Sequence, residues 1–595
     1  MFDINDWLPK SILALRTYSR RFFFADLLAG VTVGLVALPM AMAFAIASGM
    51  PPQTGLYCAV VAGFLISALG GSKTQIGGPT GAFVVVVSGI VLRHGIDGLY
   101  MCTLLAGVLL IFLGVTGLGN AVKFIPRPVV VGFTNGIAVI IASTQIKDFL
   151  GLNTGALPGD FLGRMSGLAA HFRTISPLTT VVSCVSLALI LVFTRYVKKV
   201  PGYIVALFAS TAAVWLLHLP IETIGTRFGG IPAGLPHLHM PVFRTDLIRP
   251  LISPAITVAL LGAIESLMSA VVSDRMSGDK HNPNVELIGQ GVANVFSPLF
   301  GGLPATGAIA RTATNIRSGA KSPFAGIFHA FTLLAILLFA APLAGYIPLA
   351  ALAAILFVVS YNMGEWSEIP QLLKLSRLEV STWLITFGLT VFADLTVAVE
   401  AGMILAALVF IRKVTLTTTV SQVTREYVQA GRAHILQDKE IPPYVSIFRI
   451  HGPFLFGATD KLENVIARLP ELPPILILRL RNMNAIDSTG LQALEEFADF
   501  VHASGRGLIL CGALEQPARL MQQADFERHI GADNICASVA EALKRARVLF
   551  REIEPSAPDI ALWGRRTTDL NPKTLEMEDA AAEKTPIPAD EISEE

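Results

Sequence analysis

Charge is scarce in this chain of 595 residues. Asp, Glu, Lys and Arg make up 15% of it, against about 25% in soluble globular proteins. The net charge of +1 leaves no basic field for nucleic acid or another polyanion. Cysteine is also sparse. Cys58, Cys102, Cys184, Cys511 and Cys536 form no CxxC pair and no zinc spacing, which argues against a disulfide framework or a metal centre. The sequence has no P-loop for ATP and no defensible nucleophile–base spacing, so an enzyme is disfavoured and no cofactor is expected. Residues 1–26 mix Trp7, Lys10, Arg16, Arg20 and Arg21, with no apolar run leading to a small-residue cleavage site, so they read as a cytoplasmic N-terminal segment rather than a signal peptide.

What is abundant is apolar sequence. Hydrophobic residues are 53% of the chain and the mean hydropathy is +0.61. Residues 27–416 form a series of apolar runs broken by short polar or Pro/Gly punctuation. Spans are expected near 27–47, 54–70, 79–92, 99–119, 124–145, 177–196, 201–219, 254–273, 286–300, 305–318, 323–341, 345–361, 380–398 and 400–416. A full span needs about 20 apolar residues. The third, ninth and tenth are shorter and must be buried among other helices, because exposed backbone ends are costly in lipid. Fourteen spans divide into seven plus seven, and an odd number per half gives the halves opposite topology.

Two short segments echo each other across those halves. Gly77-Gly78-Pro79-Thr80-Gly81-Ala82 and Gly301-Gly302-Leu303-Pro304-Ala305-Thr306-Gly307-Ala308 share a Gly-Gly, Pro, Thr-Gly-Ala skeleton. Each opens the third span of its half. Paired Gly/Pro-interrupted short segments point to the binding site of an inverted-repeat transporter. Pro fixes the entry to a half-helix, Gly lets backbone approach closely, and the unpaired N–H groups of the first turn face the space between the halves. Two such N-termini favour an anion. Thr80 and Thr306 would donate hydroxyls to it or cap their helices.

Lysine and arginine set the orientation. With the N-terminus inside, the inner side collects Lys10, Arg16, Arg20, Arg21, Lys73, Lys123, Arg127, Arg195, Lys198, Lys199, Arg275, Lys280, Arg317, Lys321, Lys374, Arg377, Arg412 and Lys413. The short outer loops hold almost none, Arg93 being the main exception. By the positive-inside rule both termini lie in the cytoplasm.

Past Lys413 the composition changes. Residues 417–440 are polar and read as a linker. Strands are expected at 444–450, 475–480 and 507–512, with helices opening at Asp460 and Asp487. This alternation implies a parallel-type sheet with helical cover over 441–550. Residues 551–595 are rich in Pro, Ala and acid and read as a disordered tail.

Several of these segments, in order, resemble the SulP family, the sulfate permease relatives of solute carrier family 26. The matching pieces are Leu38–Ala45, Gly49–Tyr57, Gly77–Gly81, Gly262–Ser266, Asn284–Gly291 and Gly301–Asn315. The tail resembles a STAS domain through Asp487-Ser488-Thr489-Gly490. The resemblance covers roughly residues 10–550 and implies an α-helical polytopic membrane protein with a cytoplasmic α/β STAS domain. It implies a core domain from the first four spans of each repeat and a gate domain from the last three, with substrate between the third and tenth spans. It further implies a homodimer in the bacterial cytoplasmic (inner) membrane and a regulatory partner at the STAS domain.

Carried over residue by residue, the resemblance puts Met40 and Phe44 where the first span lines the site and Thr80 at the start of the third half-helix. Gly307, Ala308 and Ile309 fall where backbone N–H groups meet the anion. Glu265 and Ser269, one turn apart, fall where bicarbonate-transporting relatives hold Na⁺ with Asp and Thr. The departures to Glu and Ser favour H⁺ over Na⁺. Read from the residues alone, Glu265 is an ionisable group in mid-span and hence a functional candidate, and Arg311 would raise the positive potential beside the half-helices. Ser488 and Thr489 are either phosphosites or a helix N-cap. The expected activity is secondary active transport of sulfate, bicarbonate or a C4-dicarboxylate, proton-coupled and of elevator type. The alternatives are an anion channel or uncoupled exchanger on the same fold, or a membrane-anchored STAS regulator.

Overall fold

The computed structural model describes residues 7–119, 126–155, 157–197, 201–238, 244–393, 395–423 and 441–554. The expected disordered tail lies almost wholly outside them, as does 424–440 of the expected linker. The chain divides into two compact units, residues 1–406 and 407–595, with the division falling inside the helix Leu395–Thr417.

Between residues 20 and 417 a helix stands at each of the fourteen expected places, the last of them crossing the division. Seven described helices are long and apolar enough to cross a membrane. The first begins at Arg20, ahead of the apolar run, because Ser19 caps it by accepting the Phe22 N–H at 3.3 Å. The third and fourth places share one helical stretch, Gly81–Val115, broken at Gly95 where φ is 71°. The tenth is the nine-residue helix Ile309–Arg317. Helices meet at small residues. A Cβ on Gly55 would stand 2.0 Å from the Ala41 carbonyl oxygen, and one on Gly107 2.7 Å from that of Gly291. Such backbone-close crossings are how helices pack when lipid supplies no hydrophobic contrast.

The two echoed segments pair with each other. Strand β1 (Gly77–Gly78) runs antiparallel to β2 (Thr306–Gly307), with Gly77 opposite Gly307 and Gly78 opposite Thr306. Buried polar side chains hold the surrounding backbone. Glu286 is fully buried, and its Oε2 accepts the N–H groups of Gly71 at 2.9 Å and Ser72 at 3.0 Å. Its Oε1 accepts Gln290 Nε2 at 2.9 Å. Asn315 Nδ2 donates to the Thr74 carbonyl at 2.9 Å. Asn294 exchanges two 2.8 Å bonds with Ala305. Backbone that leaves helical geometry in a membrane needs such partners.

In the second unit β3 (Thr419–Gln422), β4 (Val445–His451), β5 (Ile475–Asn482), β6 (Gly507–Cys511) and β7 (Ile535–Cys536) form one sheet in that order. β3 is antiparallel to β4 and the rest are parallel. The expected strands and helices are present. Residues 419–422, expected within the linker, are instead the edge strand of this sheet. Leu476, Leu478 and Phe497 pack in a cluster on one face, and Ile475, Ile477 and Ile509 in another with Val539 and Phe550. The latter face is covered by the helix Val539–Ile553, where Tyr444 stacks on Phe550 at 4.2 Å.

Replacing Glu286 with Ala removes the acceptor of three buried donors. At about 1–3 kcal/mol for each buried group left unsatisfied, the purified variant should melt several degrees lower, with Glu286→Gln intermediate. A wild-type melting temperature in Glu286→Ala would contradict this role.

Candidate functional site

The paired breaks deliver two helix starts to one place. Thr80 precedes the helix at Gly81 in extended conformation, with φ −126° and ψ 161°. Ala308 does the same for the helix Ile309–Arg317. The first intrahelical bond there runs from the Thr312 N–H to the Ala308 carbonyl at 2.8 Å. The amides of Ile309, Ala310 and Arg311 therefore have no helical acceptor. Together with Gly81 they line a cavity of about 290 Å³.

Met40, Phe44, Thr80, Glu265, Ala308, Ile309 and Arg311 all line this cavity. Gly307 and Ser269 do not. Gly307 lies buried in β2, and its N–H donates to Ser266 Oγ at 3.1 Å. A Cβ there would come within 1.7 Å of Gln75 Nε2. The Ala308 N–H is likewise used, donating to the Ile76 carbonyl at 2.8 Å. The free amides thus begin at Ile309, two residues later than the resemblance implied. Thr306 is also withdrawn from the cavity, its hydroxyl held by Ser266 Oγ at 2.7 Å and by the Gly262 carbonyl at 3.1 Å.

Thr80 makes no side-chain cap. Its hydroxyl donates to Glu265 Oε2 at 3.1 Å, tying the third half-helix to the long helix Thr245–Ser277. Glu265 and Ser269 are not partners. Ser269 is fully buried with its Oγ 3.1 Å from Thr312 Oγ1. One helix thus reaches each half-helix with a different side chain. Arg311 is 3% exposed, and its Nη2 donates to the Pro79 carbonyl. Among the described residues its Nη1 has no hydrogen-bond partner. The guanidinium crosses from the second half-helix to the break before the first. Gly78 makes room for it: φ is 143°, and a Cβ would stand 2.8 Å from Arg311 Nη1.

Sequence reasoning missed the opposite wall, formed by Phe133, Thr134, Tyr203, Asn362, Met363 and Glu365. One signal was available: Asn362 and Glu365 are polar residues ending an apolar run. Glu365 also holds a positive φ of 40°, uncommon for a residue with a side chain. The cavity thus faces one guanidinium, two carboxylates, two helix starts and an apolar rim.

In the second unit the N-cap is Asp487, whose Oδ1 accepts the Gly490 N–H at 2.7 Å and whose Oδ2 accepts that of Phe456 at 3.1 Å. Ser488 and Thr489 follow it as exposed residues and do not form the cap. Among the described residues no group of three His, Cys, Asp or Glu side chains could hold a metal.

A polytopic helical unit with crossed half-helices beside a cavity, joined to an α/β sheet unit, defines a membrane transporter rather than an enzyme. The chain belongs to the sulfate permease family, whose pattern matches residues 23–386, and a STAS domain matches residues 437–542. It is 41% identical to the putative sulfate transporter YvdB of Bacillus subtilis (strain 168), over 86% of this chain and 96% of that one. It is 31% identical to the bicarbonate transporter BicA of Picosynechococcus sp. (strain ATCC 27264 / PCC 7002 / PR-6), over 88% and 94%. Among solved structures, the transmembrane domain of a cyanobacterial BicA superimposes with a TM-score of 0.57 at 34% identity, covering 65% of this chain and 98% of that one. The murine solute carrier 26 member A9 gives 0.80 at 18% identity, covering 92% and 95%.

These positions separate packing from binding. Gly307→Val should lower the melting temperature and folded yield, because its side chain meets Gln75. Ile309→Trp should keep a near-wild-type melting temperature while filling the cavity. A Gly307→Val protein as stable as wild type would contradict the packing around β2.

Proposed function

We propose that the chain is a secondary active transporter of a small oxyanion, with sulfate as the leading substrate and bicarbonate and C4-dicarboxylates as the tested competitors. The observation that carries this is the meeting of two half-helix starts and the Arg311 guanidinium at one cavity. Orphan amides and a helix dipole favour negative charge, and a guanidinium fits oxyanion geometry. The names of the relatives agree with this substrate class. All fourteen helices are read as spans, seven per inverted repeat, in a bacterial cytoplasmic membrane with both termini inside. The domain limits are read as 27–416 for transport and 441–550 for STAS.

Charge explains the coupling. With Glu265 and Glu365 both ionised, two carboxylates outweigh one guanidinium and oppose an anion. A proton taken by Glu265 from the outer solution removes one negative charge beside the substrate. That proton leaves with the anion on the cytoplasmic side, and the emptied carboxylate is ready for the next. Thr80 holds the carboxylate in place by its 3.1 Å hydrogen bond. The cavity takes Met40, Thr80, Glu265 and Ile309 from core spans and Phe133, Tyr203 and Asn362 from gate spans. A site on that boundary supports an elevator motion of core against gate. The protein works as a homodimer, and the exposed Ser488 and Thr489 offer the STAS unit as a regulatory contact.

Two measurements test this in liposomes. Glu265→Gln should abolish accumulation driven by an inward proton gradient while anion exchange persists, and a Na⁺ gradient alone should drive nothing. Undiminished pH-driven accumulation in the variant overturns the coupling role, and non-saturating flux would indicate a channel. Arg311→Gln should weaken sulfate binding about tenfold or more, since a hydrogen bond to a charged group contributes about 1.5–3 kcal/mol. Unchanged affinity would place the anion elsewhere.

A further inference from the structure

A second cavity of about 180 Å³ lies apart from the transport cavity, with no lining residue in common. Three lysines from three separate segments converge on it. Lys10 opens the short helix Lys10–Leu15, Lys73 follows the helix Pro52–Leu69, and Lys321 precedes the helix Phe324–Phe339. Among the described residues Asp279 is the only carboxylate in its lining, and it accepts Lys10 Nζ at 3.1 Å. Among the described residues the Lys73 and Lys321 ammoniums have no ion pair.

The wall is fixed. The fully buried Asp26 accepts the N–H groups of Lys321 at 2.6 Å and Ser322 at 3.1 Å, and the Tyr18 hydroxyl donates to it at 3.1 Å. This carboxylate holds the Lys321 loop under the N-terminal segment and adds a second negative charge behind the cavity wall. Three ammoniums against the carboxylates of Asp279 and Asp26 leave a net positive charge, which an anion in the cavity offsets. Exposed apolar side chains stand on the same segment: Ile12 and Leu15 on the short helix, and Phe23 and Phe24 at the start of the first span. Lysines clustered beside apolar interfacial side chains suit an anionic headgroup with its acyl chains alongside.

We propose that this cavity holds the phosphate of an anionic phospholipid headgroup, anchoring the N-terminal segment to the loop that leads into the first half-helix and the loop that leaves the second. The inference rests on reading Arg20–Ala47 as a span whose start lies at the cytoplasmic leaflet.

The test uses the full chain purified in neutral detergent, with bound lipid counted by native mass spectrometry. The wild type should retain phosphatidylglycerol over phosphatidylcholine. The double variant Lys73→Gln/Lys321→Gln should lose that retention about tenfold or more, and Lys73→Arg/Lys321→Arg should keep it. The arginine pair controls for misfolding, because it preserves charge and side-chain bulk. Inorganic phosphate should displace the lipid only at far higher concentration. Equal retention by the glutamine pair, or no preference in the wild type, overturns the site. Protection by inorganic phosphate without lipid retention overturns the lipid assignment. Sulfate uptake by the wild type in phosphatidylcholine liposomes reads the transport cavity separately, so the two readings fail independently.

Discussion

The pairing of β1 with β2 is the contact on which the transport unit depends. Two helices stop short within the membrane region, and each stop exposes backbone that lipid cannot satisfy. Pairing Gly77 with Gly307 and Gly78 with Thr306 lets each break satisfy the other. The same pairing places the starts of two half-helices at one cavity. The polar shell of Glu286, Asn294 and Asn315 follows from it, since every neighbouring loop amide or carbonyl also needs a partner. The proposed binding site and a solution to backbone desolvation are here the same structure.

The electrostatics extend this logic. Arg311 donates to the Pro79 carbonyl at the opposite break, so the residue proposed to bind the anion also joins the two breaks. Among the described residues its second terminal nitrogen, Nη1, has no hydrogen-bond partner. Glu265 is bound to the third half-helix through Thr80, while Ser269, one turn along, is bound to the tenth through Thr312. Any change of charge at Glu265 acts on a hydrogen bond between two core elements next to the substrate space.

Much of this was legible in the sequence because both breaks carry the same Gly, Pro and Thr punctuation, which has local physical meaning wherever it occurs. The half-helices, the interruption between the expected spans 79–92 and 99–119, and the α/β alternation of the tail all follow from such local rules. Gly307 was misread because its environment is set by Gln75, a residue more than two hundred positions away that no local pattern connects to it. Ser269 shared helical spacing with Glu265, but the neighbouring half-helices divided the two between them. Tyr203 sits on the helix Gly202–Leu216, while Asn362 and Glu365 lie at and just past the end of Leu349–Met363, without any echo between halves, so only the folded chain brings the two places together. The strand 419–422 was hidden by its short polar sequence, Thr-Val-Ser-Gln, which fits a linker as well as a sheet edge.

The central claim is that the substrate anion sits between the starts of the helices at Gly81 and Ile309, against Arg311. Anomalous scattering from crystals of the protein grown with selenate, a heavier analogue of sulfate, locates the anion directly. The account predicts a selenium peak in the cavity within hydrogen-bonding reach of the Ile309–Arg311 amides. A peak elsewhere in the membrane unit, with this cavity free of selenium, would contradict it.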